Sequence, residues 1–484
     1  MQYEPVIGLE IHAQLLTASK IFCACSTAFG AEPNTQVCPV CLGLPGALPV
    51  LNHAAADFAI RAALALDCAV QETSIFARKN YFYPDLPKGY QISQYERPLA
   101  TAGALEYAVR PAQGDPELRR KVGIIRVHLE EDAGKSLHEG FPDSDRKTYV
   151  DFNRSGVPLI EIVSEPDLRS ASDAAEFFSR LRAILVWLGV NDGNMEEGSL
   201  RCDANVSVRP AGAAALGTKA EVKNLNSFRF LQKALEYEID RQIDLLNEGG
   251  RVVQETRLWD AAAGVTISMR SKEEAHDYRY FPEPDLPPLI VSRERVEAIR
   301  AAMPELPAAR RARFVVQYAL PEYDAGQLTQ SRTLGDYFEA TVRAGAPAKA
   351  ASNWIMGALA RKLKEAGGDI GATPPPDRLA GLIALVDNGT ISGSIAKEVF
   401  EKMFTSALPA EAIVAAEGLT QIDDQSLIVA LVGEVLEKHA EAVAQYRAGR
   451  TATFGFLVGQ VMKAAAGKAN PKRVNEVLKK ALET

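Results

Sequence analysis

Four cysteines constrain the start of this chain more tightly than any other feature. Cys23 and Cys25 form a Cys-x-Cys pair, twelve residues follow, and Cys38 and Cys41 form a Cys-x-x-Cys pair. Two thiol pairs on tight knuckles, joined by a short loop, can close a tetrahedral Zn²⁺ site. Pro39 inside the second pair and Gly43 after it suit a knuckle turn. Four buried free thiols, or two disulfides, are the alternatives. Six cysteines among 484 residues make no disulfide scaffold, and a reducing compartment would keep thiols free for a metal. A site with four protein thiolates is closed, so its expected role is structural. Cys68 and Cys202 have no partner at metal spacing and read as ordinary buried thiols.

A strand-type segment, residues 6–15, stands just before the quartet. Side chains alternate across a strand, so Glu10, His12 and Gln14 share one face and Leu9, Ile11 and Leu15 the other. A carboxylate and an imidazole on one polar face can share a metal, although Glu-x-His alone also fits an exposed edge strand. Residues 157–163 carry Glu161 inside an apolar run, where a lone carboxylate needs a partner or an exit to water. The run Ile124-Ile125-Arg126-Val127-His128-Leu129 leads into Glu130-Glu131-Asp132, an acidic cluster at a strand end. Oxygen ligands with one histidine suit Mg²⁺ or Mn²⁺ rather than zinc. Spacing alone does not show that these segments meet.

Phosphate signals are weaker. Gly134-Lys135-Ser136 resembles the end of a P-loop, but Leu129 stands where its first glycine belongs. Residues 79–90 are dense in aromatic and basic groups; Lys79, Tyr83 and Lys88 could stack a base and neutralise phosphate, and an aromatic loop packed on a domain surface fits the segment equally well. Arg154, on a polar turn before the Glu161 strand, can fork onto phosphate or a carboxylate.

At 484 residues the chain exceeds one core, so two or three domains are expected. No apolar run approaches a membrane span, and the N-terminal residues resemble neither a signal nor a transit peptide, so a cytosolic protein is expected. The net charge of −8 argues against general coating of nucleic acid. The segment 447–484 differs, with eight basic residues against two acidic ones. Its Arg450, Lys463, Lys468, Lys472 and Arg473 form a footprint for RNA, or simply a solvated helix face.

Strand-type runs at 6–15, 123–129, 157–163, 205–208 and 265–269 alternate with helical patterns at 54–66, 171–188 and 227–247. In the last, Phe228, Leu231, Leu235, Ile239, Ile243 and Leu246 recur at helical spacing. The Pro-rich segment 280–288 reads as a boundary, and helices dominate beyond it, with a turn at 389–394. Gly449 and Gly467 read as hinges.

The motifs VIGLEIHAQL at 6–15, RKNYFYPDLPKGYQISQ at 78–94, HLEEDAGKS at 128–136 and VDFNRSGVPLIEIVSEPD at 150–167 carry a resemblance. So do EEGSLRCDANVSVRP at 196–210, TKAEVKNLNSF at 218–228, DYRYFPEPDLPPL at 277–289 and GFLVGQVMKAAAGKANP at 455–471. Together they resemble the B subunits of the bacterial tRNA-dependent amidotransferases, in order, along the whole chain. Some members of that family lack the cysteine quartet that this chain has.

The resemblance implies an α+β fold. A mixed or antiparallel sheet cradle, 1–292 with a zinc knuckle at 23–41, would precede an all-α helical domain, 293–405, and a small α-helical YqeY-like tail domain, 406–484. It implies use of ATP and Mg²⁺ to phosphorylate the misacylated side-chain carboxylate, followed by amidation with ammonia. Glu10, His12, Glu131 and Glu161 would hold Mg²⁺ at the catalytic site, and the basic tail would grip tRNA. Implied partners are a glutaminase-type A subunit and a small C subunit in a heterotrimer, misacylated tRNA(Gln) or tRNA(Asn), and the cognate non-discriminating aminoacyl-tRNA synthetase, in the bacterial cytoplasm. A tRNA-binding scaffold without chemistry would leave Glu10, His12 and Glu161 unexplained. A metal-dependent hydrolase would leave the basic tail unexplained.

Overall fold

The computed structural model describes residues 2–109, 118–138, 140–271, 278–365, 367–419, 425–465 and 468–483. Gly467, one of the two expected hinges, lies outside them. The chain divides into two compact units, Met1–Leu306 and Pro307–Thr484, and the fold is α+β.

A nine-stranded sheet forms the first unit. Its strands are β1 (Tyr3–Gln14), β2 (Ala69–Val70), β3 (Ala100–Val109), β4 (Leu118–Glu131), β5 (Pro158–Ser164), β6 (Leu200–Pro210), β7 (Ala220–Lys223), β8 (Glu255–Asp260) and β9 (Val265–Ser271). They lie in the order β9-β8-β7-β6-β1-β5-β4-β3-β2. Every pair is antiparallel except β7–β8. The central strand β1 alternates cleanly: Ile7, Leu9, Ile11 and Ala13 are buried in the core, while Glu10, His12 and Gln14 face the other way.

Helices α1 (His53–Ala65), α2 (Ala171–Trp187) and α3 (Phe228–Asn247) contribute to that core. Each starts on a capping side chain. Asn52 accepts from the Ala54 N–H, Ser170 from Asp173 and Ser227 from Phe230. The apolar stripe expected on α3 is interrupted in its second half. Glu238 and Gln242 are buried there, with Glu238 held by Arg241, Gln242 and Thr266. Thr266 belongs to β9, so this polar knot ties α3 to the edge of the sheet.

The Pro-rich segment is stitched into the first unit. Phe281–Pro282 pairs with Ala77–Asn80, and Leu289–Ile290 with Thr73–Ser74. Arg78 forks onto Glu283 at 2.7 and 2.8 Å. Helix α4 (Arg293–Ala302) follows, and its Val296 and Ile299 pack against the same core.

The second unit is helical, from Pro307–Tyr318 to Pro471–Glu483. Phe314, Phe338, Ile355, Leu382 and Phe400 lie in one buried cluster, which also takes Ile413 and Val414 from the helix Ala410–Ala416. Ile428, Val432, Leu457, Val461 and Leu478 lie in another. The turn expected at 389–394 is present: Gly389 has φ +77° and Ser392 caps the next helix. Gly449, with φ +96°, joins Ala440–Arg447 to Thr453–Ala464. Among the described residues, no helix is long and apolar enough to cross a membrane.

Candidate active site and thiol cluster

Strand register brings distant residues together. His12 on β1 stands opposite Glu161 on β5, and Glu161 stands opposite His128 on β4. Two residues along β4, on the same face, is Glu130. The His12 Nε2 lies 3.4 Å from Glu161 Oε2 and 3.9 Å from Glu130 Oε1. The His128 Nε2 lies 3.4 Å from Glu161 and 3.6 Å from Glu130. One ligand atom each from His12, Glu130 and Glu161 falls within 4.8 Å of the others. One imidazole and two carboxylates at that separation form a donor set that fits Mg²⁺ or Mn²⁺.

This cluster forms part of the wall of a cavity of about 640 Å³. Burial works to raise the Glu161 carboxyl, but the His128 charge and hydrogen bonds from both histidines hold it well below its ordinary value. Burial opposes charge on His128 too, yet Glu161 and Glu130 push it up to about 9. His12 is likewise raised against burial, chiefly by Glu161. Glu10 lines the same cavity and accepts from Asn205 Nδ2 at 2.9 Å. Burial, then the Glu161 and Glu221 charges, push its carboxyl up. Asp132 takes Gln14 at 2.7 Å and Arg201 at 3.0 Å. Burial raises its carboxyl, but Arg201 and Arg154 overcome that and hold it down.

The expected residues do not all converge. Glu10, His12, Glu161, Lys79 and Arg154 line the large cavity. The Lys79 ammonium sits 5.0 Å from the Tyr278 ring centre, and Arg154 spends two donors on the Ala133 and Gly134 carbonyls. Glu131 is not with them. As Glu130 faces the large cavity, its neighbour on the strand must face away. Glu131 pairs there with Lys88 and accepts the Ile92 N–H at 2.8 Å. Both Glu131 and Lys88 line a separate cavity of about 220 Å³ beside Cys23 and Cys41. Tyr83 is exposed and meets Tyr81 edge-on at 6.0 Å.

The sequence marks the run through Arg126 and His128 into the Glu130-Glu131-Asp132 cluster, but not His128, Glu130 and Arg126 as its members that face the cavity. A signal for them exists all the same: residues 126, 128 and 130 share one face of any strand through His128. In the tail, Arg450, Lys463, Lys472 and Arg473 are exposed, whereas Lys468 donates to the Gly418 carbonyl at 2.7 Å.

The four expected thiols do meet. Sγ atoms of Cys23, Cys25, Cys38 and Cys41 lie within 4.8 Å of one another, and all six cysteines are free. Four thiols at that spacing can hold a structural metal. The Cys38 N–H donates to Cys41 Sγ at 3.1 Å. Lys20, fully buried, donates to Cys41 Sγ at 3.6 Å and to the Gln36 carbonyl at 2.7 Å. A hydrogen bond from Cys23, helped by the Cys38 N–H and Lys20, holds the Cys41 thiol down to about 4 despite burial. Gly43, with φ +68°, makes the knuckle turn directly against Lys88.

Comparison with known proteins agrees along the chain. A family model described as the GatB/GatE catalytic domain matches residues 5–297, and one described as the GatB domain matches 336–482. The B subunit of aspartyl/glutamyl-tRNA(Asn/Gln) amidotransferase from Thermodesulfovibrio yellowstonii is 57% identical over 484 residues, 100% of both chains. The protein of that name from Geobacter sulfurreducens is 55% identical over 484 residues, again 100% of both. That from Myxococcus xanthus is 56% identical over 482 residues, 99% of this chain and 98% of its own.

Proposed function

Because the chain belongs to the GatB/GatE family of amidotransferase B subunits, we propose that it converts Glu-tRNA(Gln) or Asp-tRNA(Asn) to the amide with ATP and ammonia. The observation that carries this reading is the His12, Glu130 and Glu161 donor set, facing a cavity with cations on its walls.

A carboxylate is a poor acyl donor because expelling oxide near neutral pH is prohibitive. Phosphorylation solves this. The substrate's carboxylate oxygen forms a bond to the γ-phosphorus of ATP, and the bond from that phosphorus to the β-phosphate oxygen breaks, its electron pair leaving on ADP. Ammonia nitrogen then bonds to the acyl carbon, the acyl C–O bond breaks with its pair leaving on phosphate, and nitrogen loses a proton. A bound Mg²⁺ would neutralise the phosphate oxygens and the leaving group.

His12, Glu130 and Glu161 hold that ion in this reading, so the ligand role expected of Glu131 passes to Glu130. His128 fixes both carboxylates from behind. Glu10, whose carboxyl is raised by burial and neighbouring charge, is the base placed to take the proton from nitrogen. Lys79 faces phosphate, and the exposed tail cations hold tRNA. The four thiols take structural Zn²⁺, and no cysteine among the described residues lines the large cavity. Ammonia therefore comes from a glutaminase-type A subunit, joined by a small C subunit, in the bacterial cytoplasm where aminoacyl-tRNA is made.

The test uses the chain assembled with its partner subunits, Glu-tRNA(Gln), ATP and ammonium chloride. Phosphate release should require the misacylated tRNA and should vanish in Glu161→Gln. Release indifferent to the aminoacyl-tRNA, or unchanged in that variant, would sink the proposal.

A further inference from the structure

Among the described residues, one cation lining the large cavity has a buried donor left over. Arg126 lines it, yet the Arg126 Nε is buried without a hydrogen-bond partner. Among the described residues its one contact of note is with Tyr95, whose ring centre lies 5.9 Å from the guanidinium carbon. Its neighbours are placed differently. Arg201 and Arg154 are both drawn to Asp132, and Lys223 to Asp203 at 2.9 Å. A buried donor with no partner costs free energy that a fold rarely leaves unmet. A ligand oxygen would meet it.

The strand is shaped to present this group. Val163 and Ser164 are consecutive on β5 but stand opposite Arg126 and Ile124, which makes Ile125 an extra residue on β4. Val122, Ile124, Val127 and Leu129 all reach the core, so the face assignment switches at Ile125. Alternation keeps Arg126 on the face of His128 and Glu130, and the bulge returns Ile124 and Val122 to the core behind it. Rings support it from behind: Tyr95 stacks on Tyr280 at 4.2 Å, Tyr280 meets Tyr278 at 6.0 Å, and Tyr278 carries the Lys79 ammonium. Arg126 and Lys79 thus sit at two ends of one aromatic row.

We propose that Arg126 grips a phosphate oxygen of the bound nucleotide, its fork completing the partner set that the cavity withholds. A guanidinium matches phosphate with paired donors. Carboxylates ordinarily compensate a buried guanidinium donor, and here Glu130 and Glu161 stand against the histidines, Asp203 against Lys223 and Asp132 against the other arginines. Arg126 and Glu130 are separated by four residues of strand, about 13 Å. That leaves room for a polyphosphate between the guanidinium and the donor set. A phosphate of the tRNA end offers the same chemistry, and the separate KM values for ATP and for tRNA tell the two sources apart. This inference rests on the ATP-dependent reading above.

The experiment compares wild type, Arg126→Gln and Arg126→Lys in the assembled complex. Affinity for a non-hydrolysable ATP analogue with Mg²⁺ is measured by calorimetry, and KM is measured separately for ATP and for Glu-tRNA(Gln). Arg126→Gln should weaken nucleotide binding and raise the ATP KM by about tenfold or more, with the tRNA KM and the thermal midpoint unchanged. Arg126→Lys should recover only part, because a point charge lacks the fork. Unchanged nucleotide affinity would overturn the inference. So would a raised KM for tRNA alone, or a fall in thermal midpoint that accounts for the loss. His12→Ala separates the two levels. If it keeps tRNA-dependent phosphate release, the reading of the whole cavity falls. If it loses that release while Arg126→Gln binds nucleotide normally, only this inference falls.

Discussion

Glu161 lies between two imidazoles and would be costly to bury alone. Its charge is stabilised because His12 and His128 each approach within 3.4 Å. The cost reappears as a dependence on pH in the metal-free chain. His128 has an unfolded value near 6.5 and is pushed up to about 9 in the fold. Folding therefore favours its protonated form. That stabilisation is complete below about pH 6.5 and is lost as pH rises through about 9, with a ceiling of about 3 kcal/mol. Urea unfolding of the metal-free chain should show falling stability between pH 6.5 and 9.5, and His128→Gln should flatten the curve. Equal slopes in both proteins would remove His128 from the balance. At this scale the shared face of Glu10 and His12 was legible in the sequence, because alternation is local. The choice of Glu130 over Glu131 required knowing which face of β4 meets β1 across β5, and that depends on register between strands far apart in the chain.

Whole elements were more legible than their partners. Patterns at 54–66, 171–188 and 227–247 became His53–Ala65, Ala171–Trp187 and Phe228–Asn247, since an apolar stripe with a Ser or Asn cap specifies a helix locally. The bulge at Ile125 left no local trace, because a bulge exists only relative to the strand beside it. The thiol loop lies between these cases. Its metal spacing was plain, but its tie to the fold through buried Lys20, which also reaches the Phe152 carbonyl at 3.3 Å, was not. Phe152 precedes β5, so the knuckle braces the strand that carries Glu161. In the chain loaded with Zn²⁺, Cys41→Ser should release the ion to a chelating dye and destabilise the first unit by roughly 2–4 kcal/mol. A variant that keeps its metal and its unfolding midpoint would show that the loop needs no fourth thiolate.

At the scale of the molecule, the change from strands to helices after the Pro-rich segment was visible as a change of texture. Where the compact units part was not. Apolar residues of α4 extend the first core, and Ile413 and Val414 belong to the cluster around Phe400 rather than to the one around Leu457. Hydrophobic clusters are closed by packing, which composition does not reveal. The separate cluster from Ile428 to Leu482 sets where a truncation can be made. Removing residues 425–484 takes that cluster whole and leaves the Phe400 cluster its own side chains. It also removes all five of the cations expected to hold tRNA, four of them exposed. Because neutralised phosphates dominate affinity for RNA, tRNA binding should weaken by about tenfold or more at physiological salt. The dependence of affinity on salt should flatten by roughly 0.7–0.9 for each phosphate that is no longer neutralised. Amidation with ammonium chloride at saturating tRNA should change little, since the cavity lies wholly within the first unit. Titration of labelled tRNA across a salt series measures both quantities. An unchanged affinity with an unchanged slope would show that the tail cations serve only as a solvated face.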